Sequence, residues 1–151
     1  MVSRLILGDS KTIRTRVEFH RVPSASPFPW AKELGALCRS ILKQENCRGL
    51  VNVILCPDEQ VRTLNRDYRG LDKVTDVLSF EWQCDGILGE IYIAEAQVRK
   101  QAPRYDNSFK AELRRMLVHG ILHLCGHDHM KPAERKSMRA REDEILSTNG
   151  K

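Results

Sequence analysis

The chain has 151 residues, a length typical of one domain, and its formal net charge is +5. It contains no apolar run of about 18 residues, so we expect no membrane span, and its N-terminus does not have the pattern of a secretory signal. Five cysteines without a CxxC pair indicate reduced thiols in a cytoplasmic protein. We therefore predict a single domain over residues 1–151, in which residues 1–11 form a frayed or variable extension.

Apolar periodicity predicts strands and helices in a mixed order along the chain. Strands are predicted at 15–22, 50–55, 77–80 and 89–93. Helices are predicted at 30–43, 57–68, 94–101, from a cap at Asn107 or Ser108 onward, and from Pro132 to near Ser147. This order predicts an α/β (α+β) fold with a small mixed sheet of about four strands covered by about five helices. The order of the strands within the sheet does not follow from the sequence.

The segment HGILHLCGHDH, residues 119–129, contains four of the five histidines of the chain. His119 and His123 are four residues apart, so they leave the same face of a helix one turn from each other. Gly126 is suited to end that helix, after which the chain can bring His129 back to the same face. Three imidazoles with one open position are typical of a catalytic zinc site. We therefore predict one zinc ion per chain, bound by His119, His123 and His129.

Two alternatives remain for this motif. The histidines can be core and loop residues without a metal, or the zinc can be structural, which requires a fourth protein ligand such as Cys125, His127 or Asp128. The spacing HxxxHxxGxxH also occurs in zinc peptidases, where a glutamate after the first histidine is the general base. Gly120 occupies that position here. The motif therefore favours a metallohydrolase over a peptidase.

A second group of polar residues lies in LNRDYRGLDKVTDVLSF, residues 64–80. Asn65 and Arg69 can share a helix face, and an arginine there can bind a phosphate through two parallel hydrogen bonds. In the alternative interpretation, Arg69 binds the last carbonyls of the helix and pairs with Asp76. Composition alone favours this structural role.

These two segments resemble the signature blocks of the YbeY family of bacterial single-strand-specific metallo-endoribonucleases, which mature ribosomal RNA. GEIYIA, residues 89–94, is similar to the strand that precedes the metal helix in that family, and the resemblance covers roughly residues 15–147. It implies a zinc-dependent endoribonuclease that acts in maturation of the 16S rRNA 3′ end and in ribosome quality control, with single-stranded RNA and a ribosomal subunit as partners. The resemblance further implies that His119, His123 and His129 are the zinc ligands and that Arg69 and His119 are catalytic.

Four further residues are predicted to support the ligands or to contact the substrate: Asp128, Asn65, Asp76 and Arg115. Asp128 has an alternative role in an Asx turn. Three positions depart from the family pattern. Val74 stands where proline is frequent, Glu90 where aspartate is frequent, and His127 where tyrosine is frequent. We expect Glu90 to alter a polar contact near the site and His127 to be an exposed turn residue.

Basic residues surround the proposed metal helix and can follow a phosphate backbone, although each group alone is more often a solvated face. They are Arg99, Lys100, Arg104, Arg114, Arg115, Arg135, Lys136, Arg139 and Arg141. Three function classes remain open. They are an RNA endonuclease, a zinc peptidase or other metallohydrolase, and a non-catalytic ribosome-associated zinc module.

Overall fold

A computed structural model describes residues 13–23, 26–128 and 130–148, so the predicted extension at 1–11 lies outside the described residues. The strands are β1 (Arg16–Arg21), β2 (Leu50–Cys56), β3 (Val77–Cys84) and β4 (Ile87–Ala94). The helices are α1 (Ala31–Gln44), α2 (Asp58–Arg69), α3 (Glu95–Gln101), α4 (Phe109–Leu124) and α5 (Pro132–Thr148), with a 3-10 turn at Ala102–Tyr105. None of these helices is long and apolar enough to cross a bilayer.

The four strands form one mixed sheet in the order β1-β2-β4-β3. β1, β2 and β4 run parallel, whereas β3 pairs antiparallel with β4 and occupies one edge. A tight turn joins β3 to β4, and its residues Asp85 and Gly86 have positive φ values of 52° and 77°. The predicted fold class, a small mixed sheet with about five helices, is confirmed.

Alternation along the strands divides the core into two layers. Ile91 and Ile93 of β4 are fully buried and belong to the larger apolar cluster, which also contains residues of α1 and α4. Leu78 and Ala94 belong to a smaller cluster with Val61 of α2. α4 is therefore packed on one face of the sheet, while α2 covers part of the other.

Specific residues end the helices that carry the predicted site. Gly70 follows α2 with φ 72°, and the Leu71 N–H donates to the Asn65 carbonyl, as in a glycine C-cap. Ser108 is the N-cap of α4, because its Oγ accepts a hydrogen bond from the Ala111 N–H at 3.1 Å. Of the two caps predicted for this helix, Ser108 is therefore correct. Asn107 instead donates its Nδ2 to Glu112 at 2.8 Å.

Candidate active site

α4 presents two imidazoles to a cavity of about 340 Å³. His119 and His123 lie one turn apart, with ring centroids separated by 6.1 Å. The facing wall comes from the end of α2, the following loop and the start of edge strand β3. This wall is formed by Asn65, Arg69, Leu71, Lys73, Thr75, Asp76, Val77, Leu78 and Ser79. The fold thus brings together the two segments that the sequence had marked separately.

A carboxylate from the last helix holds the first imidazole. Glu142 of α5 has its Oε2 at 2.6 Å from His119 Nδ1, and both side chains are largely shielded from solvent. A carboxylate on one ring nitrogen fixes the ring orientation and leaves the other nitrogen for a metal, an arrangement that is typical of metal-binding histidines. Glu142 could not be predicted from the sequence, because no spacing rule connects a residue of α5 with one on α4.

The third predicted ligand, His129, lies outside the described residues. Among the residues that the structure does describe, no group of three His, Cys, Asp or Glu side chains is placed to hold a metal ion. His119 and His123 nevertheless lie one turn apart on one helix face, the spacing at which two histidines of a helix can share one zinc ion. The zinc site therefore remains a prediction in which two ligands are located.

Gly120 is constrained by packing against the sheet. A Cβ atom at this position would lie 2.9 Å from Ile91 Cδ1 and 3.0 Å from Ile91 Cγ2, both closer than ordinary contact. Ile91 is fully buried. The residue after the first histidine therefore faces the core, and a glutamate there would have no room to reach a metal. This geometry disfavours the peptidase alternative more strongly than the sequence did.

Arg69 crosses from the end of α2 to the exposed edge of the sheet. Its Nη2 donates to the Ser79 carbonyl at 2.7 Å, and its guanidinium carbon lies 5.3 Å from the centre of the Phe80 ring. Within the described part of the chain it has no ion pair with Asp76. The pairing proposed in the structural alternative is therefore wrong, and the guanidinium lines the same cavity as the two imidazoles.

Asp76 and Asn65 line the cavity, and neighbouring groups hold both. Asp76 Oδ1 accepts from the Val77 N–H at 2.8 Å, and its Oδ2 accepts from Gln101 Nε2 at 3.0 Å. Asn65, which is only 2% exposed, donates its Nδ2 to the Lys73 carbonyl at 3.0 Å. Asp76 is thus a fixed carboxylate in the cavity wall, whereas the amide of Asn65 holds the loop after α2.

Arg115 does not line this cavity, and its guanidinium is bound to a buried carboxylate. Its Nε and Nη2 donate to the two oxygens of Glu112 at 3.1 and 2.6 Å. Burial raises the pKa of Glu112, but the hydrogen bonds from Arg115, Asn107 and Gln101 outweigh burial and hold that pKa below its ordinary value. The same Gln101 amide that binds Asp76 also donates to Glu112 at 2.8 Å. The Glu112 network therefore supports Asp76, and sequence analysis missed both Gln101 and Glu112.

The loop after α4 is fixed by contacts with distant parts of the chain. His127 is half-buried, and its Nε2 lies 2.7 Å from Glu45 Oε1, so the expectation of an exposed turn residue is wrong. Glu45 also accepts a hydrogen bond from Arg141 of α5 at 2.9 Å. Asp128 Oδ1 accepts from the Met130 N–H at 3.2 Å, which is the predicted Asx contact.

A second cavity, of about 250 Å³, lies on the other side of His119. Its lining includes Arg115 of α4 and Arg135, Arg139 and Glu142 of α5, so the predicted site residue Arg115 lies beside His119 in this second cavity. Other members of the basic set are bound elsewhere. Arg99 pairs with Glu95, and Arg114 donates to a carbonyl of α5. Arg115, Arg135 and Arg139 are therefore the members of the basic set that share a cavity with His119.

The fold and cavity define a small mixed-sheet α/β protein whose candidate site pairs two helical imidazoles with an arginine. The family model described as "Endoribonuclease YbeY" matches residues 20–150. Curated proteins named "Endoribonuclease YbeY" are 40% identical to the chain. The alignment with the protein from Desulfitobacterium hafniense spans 121 residues and covers 72% of this chain and 77% of the relative. The alignment with the protein from Carboxydothermus hydrogenoformans spans 112 residues and covers 72% of this chain and 78% of the relative. The solution structure of a Thermotoga maritima protein is 29% identical with a TM-score of 0.59, and the match covers 87% of this chain and 90% of that protein. The chain belongs to the endoribonuclease YbeY family.

Proposed function

We propose that this chain is a cytoplasmic, zinc-dependent endoribonuclease that cleaves single-stranded RNA. Its substrate is ribosomal RNA, with action at the 16S 3′ end and in ribosome quality control on a ribosomal subunit. One observation carries the proposal, namely that the His119–His123 pair and the Arg69 guanidinium line a single cavity. Family membership supports RNA as the substrate class.

His119, His123 and His129 would hold the zinc ion. When bound, zinc supplies a Lewis acid and a nucleophile that is available at neutral pH. Glu142 keeps the His119 ring in place through Nδ1. This assignment is consistent with Gly120, because chemistry of this kind does not depend on a glutamate next to the first histidine.

Arg69 binds the phosphoryl oxygens of the phosphodiester that is cleaved. Its bond to Ser79 uses one of the five N–H donors of a guanidinium, so the others can meet a phosphate in the cavity. Asp76 faces the same cavity with its carboxylate held by Gln101 and by the Val77 N–H. It can accept a hydrogen bond from the attacking hydroxyl, whether that group is water or the 2′-hydroxyl of the RNA.

The proposal is tested by comparing RNA cleavage by the zinc-loaded wild type with two variants. We expect Arg69→Ala to fold, to keep its zinc and to cleave on the order of 10²-fold more slowly, since it lacks a donor to the developing charge. Arg69→Lys keeps the charge but loses the planar fork, so it should recover part of the rate. Arg66→Ala is the matched control, because Arg66 is an exposed arginine in the same last turn of α2 that pairs with Asp67 and does not line the cavity.

His123→Ala tests the metal assignment and also controls for contaminating nucleases. It should bind zinc more weakly, lose the thermal stabilisation that zinc gives, and lose cleavage. Stoichiometric zinc with unchanged affinity in this variant would show that the site is assigned wrongly. Cleavage of casein instead of RNA would favour the peptidase, and RNA binding without cleavage by the loaded protein would favour a non-catalytic module.

A further inference from the structure

An aromatic cleft lies beside the candidate active site, on the face of the sheet that α2 only partly covers. Its volume is about 290 Å³. Two of its aromatic side chains are well exposed, Tyr68 at 72% and Trp82 at 54%. The lining consists of Leu64, Tyr68, Phe80, Glu81, Trp82, Glu90 and Tyr92. We call this group the aromatic cleft.

The register of β3 and β4 explains why the cleft is open. Leu78 of β3 lies opposite Tyr92 of β4. Phe80 lies opposite Glu90, which is the next pair on the same face of the sheet. Leu78 is buried under α2, whereas Phe80 is half-buried and Trp82 more than half exposed. Tyr68 in the last turn of α2 reaches Phe80, with 5.6 Å between the ring centres. α2 ends one residue later, so the strands extend beyond the helix and leave aromatic surface uncovered.

Arg69 connects the aromatic cleft to the imidazole cavity. Arg69 binds the carbonyl of Ser79, which lines the imidazole cavity. Its guanidinium also approaches the ring of Phe80, which lines the aromatic cleft. The two residues are adjacent on the edge strand and point to opposite faces of the sheet. A phosphate bound at Arg69 would therefore have the aromatic cleft next to it, within reach of the neighbouring nucleotide.

The chemistry of the aromatic cleft suits a nucleobase better than a phosphate. Its lining includes the Glu90 carboxylate and no lysine or arginine, so the interior of the cleft is a poor site for a phosphate, which Arg69 at its margin would hold instead. Aromatic rings stack on any base, and a carboxylate accepts hydrogen bonds from an exocyclic amine. Tyr92 donates to Glu90 Oε1 at 3.1 Å. Burial, assisted by the Glu90 charge, raises the pKa of Tyr92 to about 12, so this phenol stays protonated and keeps the carboxylate in place.

The aromatic cleft also contains Glu90, the residue that stands where aspartate is frequent in the family pattern. The sequence predicted that a longer carboxylate at this position would alter a polar contact near the site. Glu90 does not line the imidazole cavity, but its side chain reaches the Tyr92 hydroxyl in the aromatic cleft. If Glu90 affects RNA binding, it would therefore do so through a nucleobase in the aromatic cleft and not through the proposed zinc site.

We propose that the aromatic cleft binds one nucleobase of single-stranded RNA, that of the nucleotide next to the phosphate held by Arg69. The cleft favours bases with an exocyclic amine (cytosine, adenine and guanine) over uracil. The inference rests on the proposed function, since it takes RNA as the substrate, and it adds a position at which the enzyme reads the base.

Binding is measured with Trp82 as the reporter. The chain has two tryptophans, Trp30 and Trp82, so full-length Trp30→Phe leaves Trp82 as the single reporter. The probes are 2′-O-methyl hexacytidylate, hexauridylate and an abasic strand of equal length and charge. We expect hexacytidylate to quench the fluorescence saturably, hexauridylate to bind more weakly, and the abasic strand to bind about 5- to 140-fold more weakly than hexacytidylate, the equivalent of one base–aromatic stack. Equal affinity for the hexacytidylate and abasic strands would overturn the inference.

Cleavage assays separate this inference from the proposed function. Trp82→Leu should raise KM for single-stranded RNA at least about 5-fold with little change in kcat, and Trp82→Phe should recover the wild-type KM because it retains an aromatic ring. Trp30→Leu is the matched control, since Trp30 is also partly exposed but packs near Phe109, outside the aromatic cleft. If wild type cleaves RNA and Trp82→Leu has an unchanged KM, the base site is wrong and the nuclease stands. If hexacytidylate quenches Trp82 and the abasic strand does not, while wild type cleaves no RNA, the base site stands and the nuclease fails.

Discussion

Replacing Gly120 by alanine tests the packing that separates this site from a peptidase site. The added methyl group would lie 2.9 Å from Ile91 Cδ1, 3.0 Å from Cγ2 and 3.3 Å from Cγ1, and these atoms belong to a fully buried side chain in strand β4. Since neighbours on both sides hold Ile91, it cannot yield without strain. Overpacking of this kind destabilises by about 1–3 kcal/mol.

The helix itself prefers the substitution, so two opposing contributions must be compared. Alanine is favoured over glycine within a helix by about 1 kcal/mol at most. The expected net loss for Gly120→Ala is therefore between about 0 and 2 kcal/mol, which corresponds to a decrease in Tm of up to about 8 °C for a chain of this size. Thermal and urea unfolding of the zinc-free protein would measure the loss without a contribution from metal binding.

A control glycine and a double mutant make the prediction specific. A Cβ atom at Gly35 of α1 would meet the flexible end of Arg39 at 3.1 Å and Phe19 at 3.3 Å, both farther than the nearest contact at Gly120, so Gly35→Ala should lose less stability than Gly120→Ala. Ile91→Val removes Cδ1, the atom nearest to the new methyl group. The double mutant Gly120→Ala, Ile91→Val should therefore be at least about 0.5 kcal/mol more stable than the sum of the single changes. If Gly120→Ala behaves like Gly35→Ala and the coupling is zero, the steric argument against a catalytic glutamate is refuted.

Two further predictions concern carboxylates that the sequence did not identify. Glu142→Gln should weaken zinc binding about 10- to 100-fold in a chelator competition, because it replaces the charged partner of His119; unchanged affinity would deny Glu142 this role. Glu112 has a pKa held below its ordinary value of 4.5, so its stabilising contribution is complete above pH 4.5 and is lost as the pH falls through the lower folded-state pKa. Glu112→Gln should therefore lower stability at pH 7 and reduce the loss of stability on acidification, as urea titrations at pH 3–7 would measure; parallel curves for the two proteins would contradict this assignment.

Local pattern was sufficient for much of this fold. The four strands and five helices were predicted because apolar residues repeat with the period of each element, and Gly70 and Ser108 end or begin helices for reasons contained in a few neighbouring residues. The imidazole pair also followed from local spacing, since four residues make about one helical turn. The ends of strands did not follow from the local pattern. β3 continues to Cys84, four residues beyond its predicted end, because the β3–β4 hairpin continues to pair.

Long-range pairing could not be predicted. The sheet order places β4 between β2 and β3, and this depends on which apolar faces meet after the chain has collapsed. Glu112 lies in the first turn of α4, where nothing in the sequence indicates burial, yet it is fully buried and is bound by Gln101 from the preceding helix and by Arg115. His127 likewise looked like a turn residue, but its partner Glu45 is 82 residues away in the sequence. Glu112 and His127 are both polar side chains with a partner in another element.

Arg69 shows why the structural and catalytic interpretations of a residue need not exclude each other. One N–H of its guanidinium closes the exposed edge of β3 through the Ser79 carbonyl, and its plane approaches Phe80. Both contacts leave its charge without a carboxylate partner in the described part of the chain, although Asp76 lines the same cavity. An exposed arginine that is held in place but not neutralised is suited to bind an anion, because its geometry is set before the ligand arrives. The structural contact is therefore what positions the guanidinium between the imidazole cavity and the aromatic cleft, where a phosphate and its neighbouring base would meet.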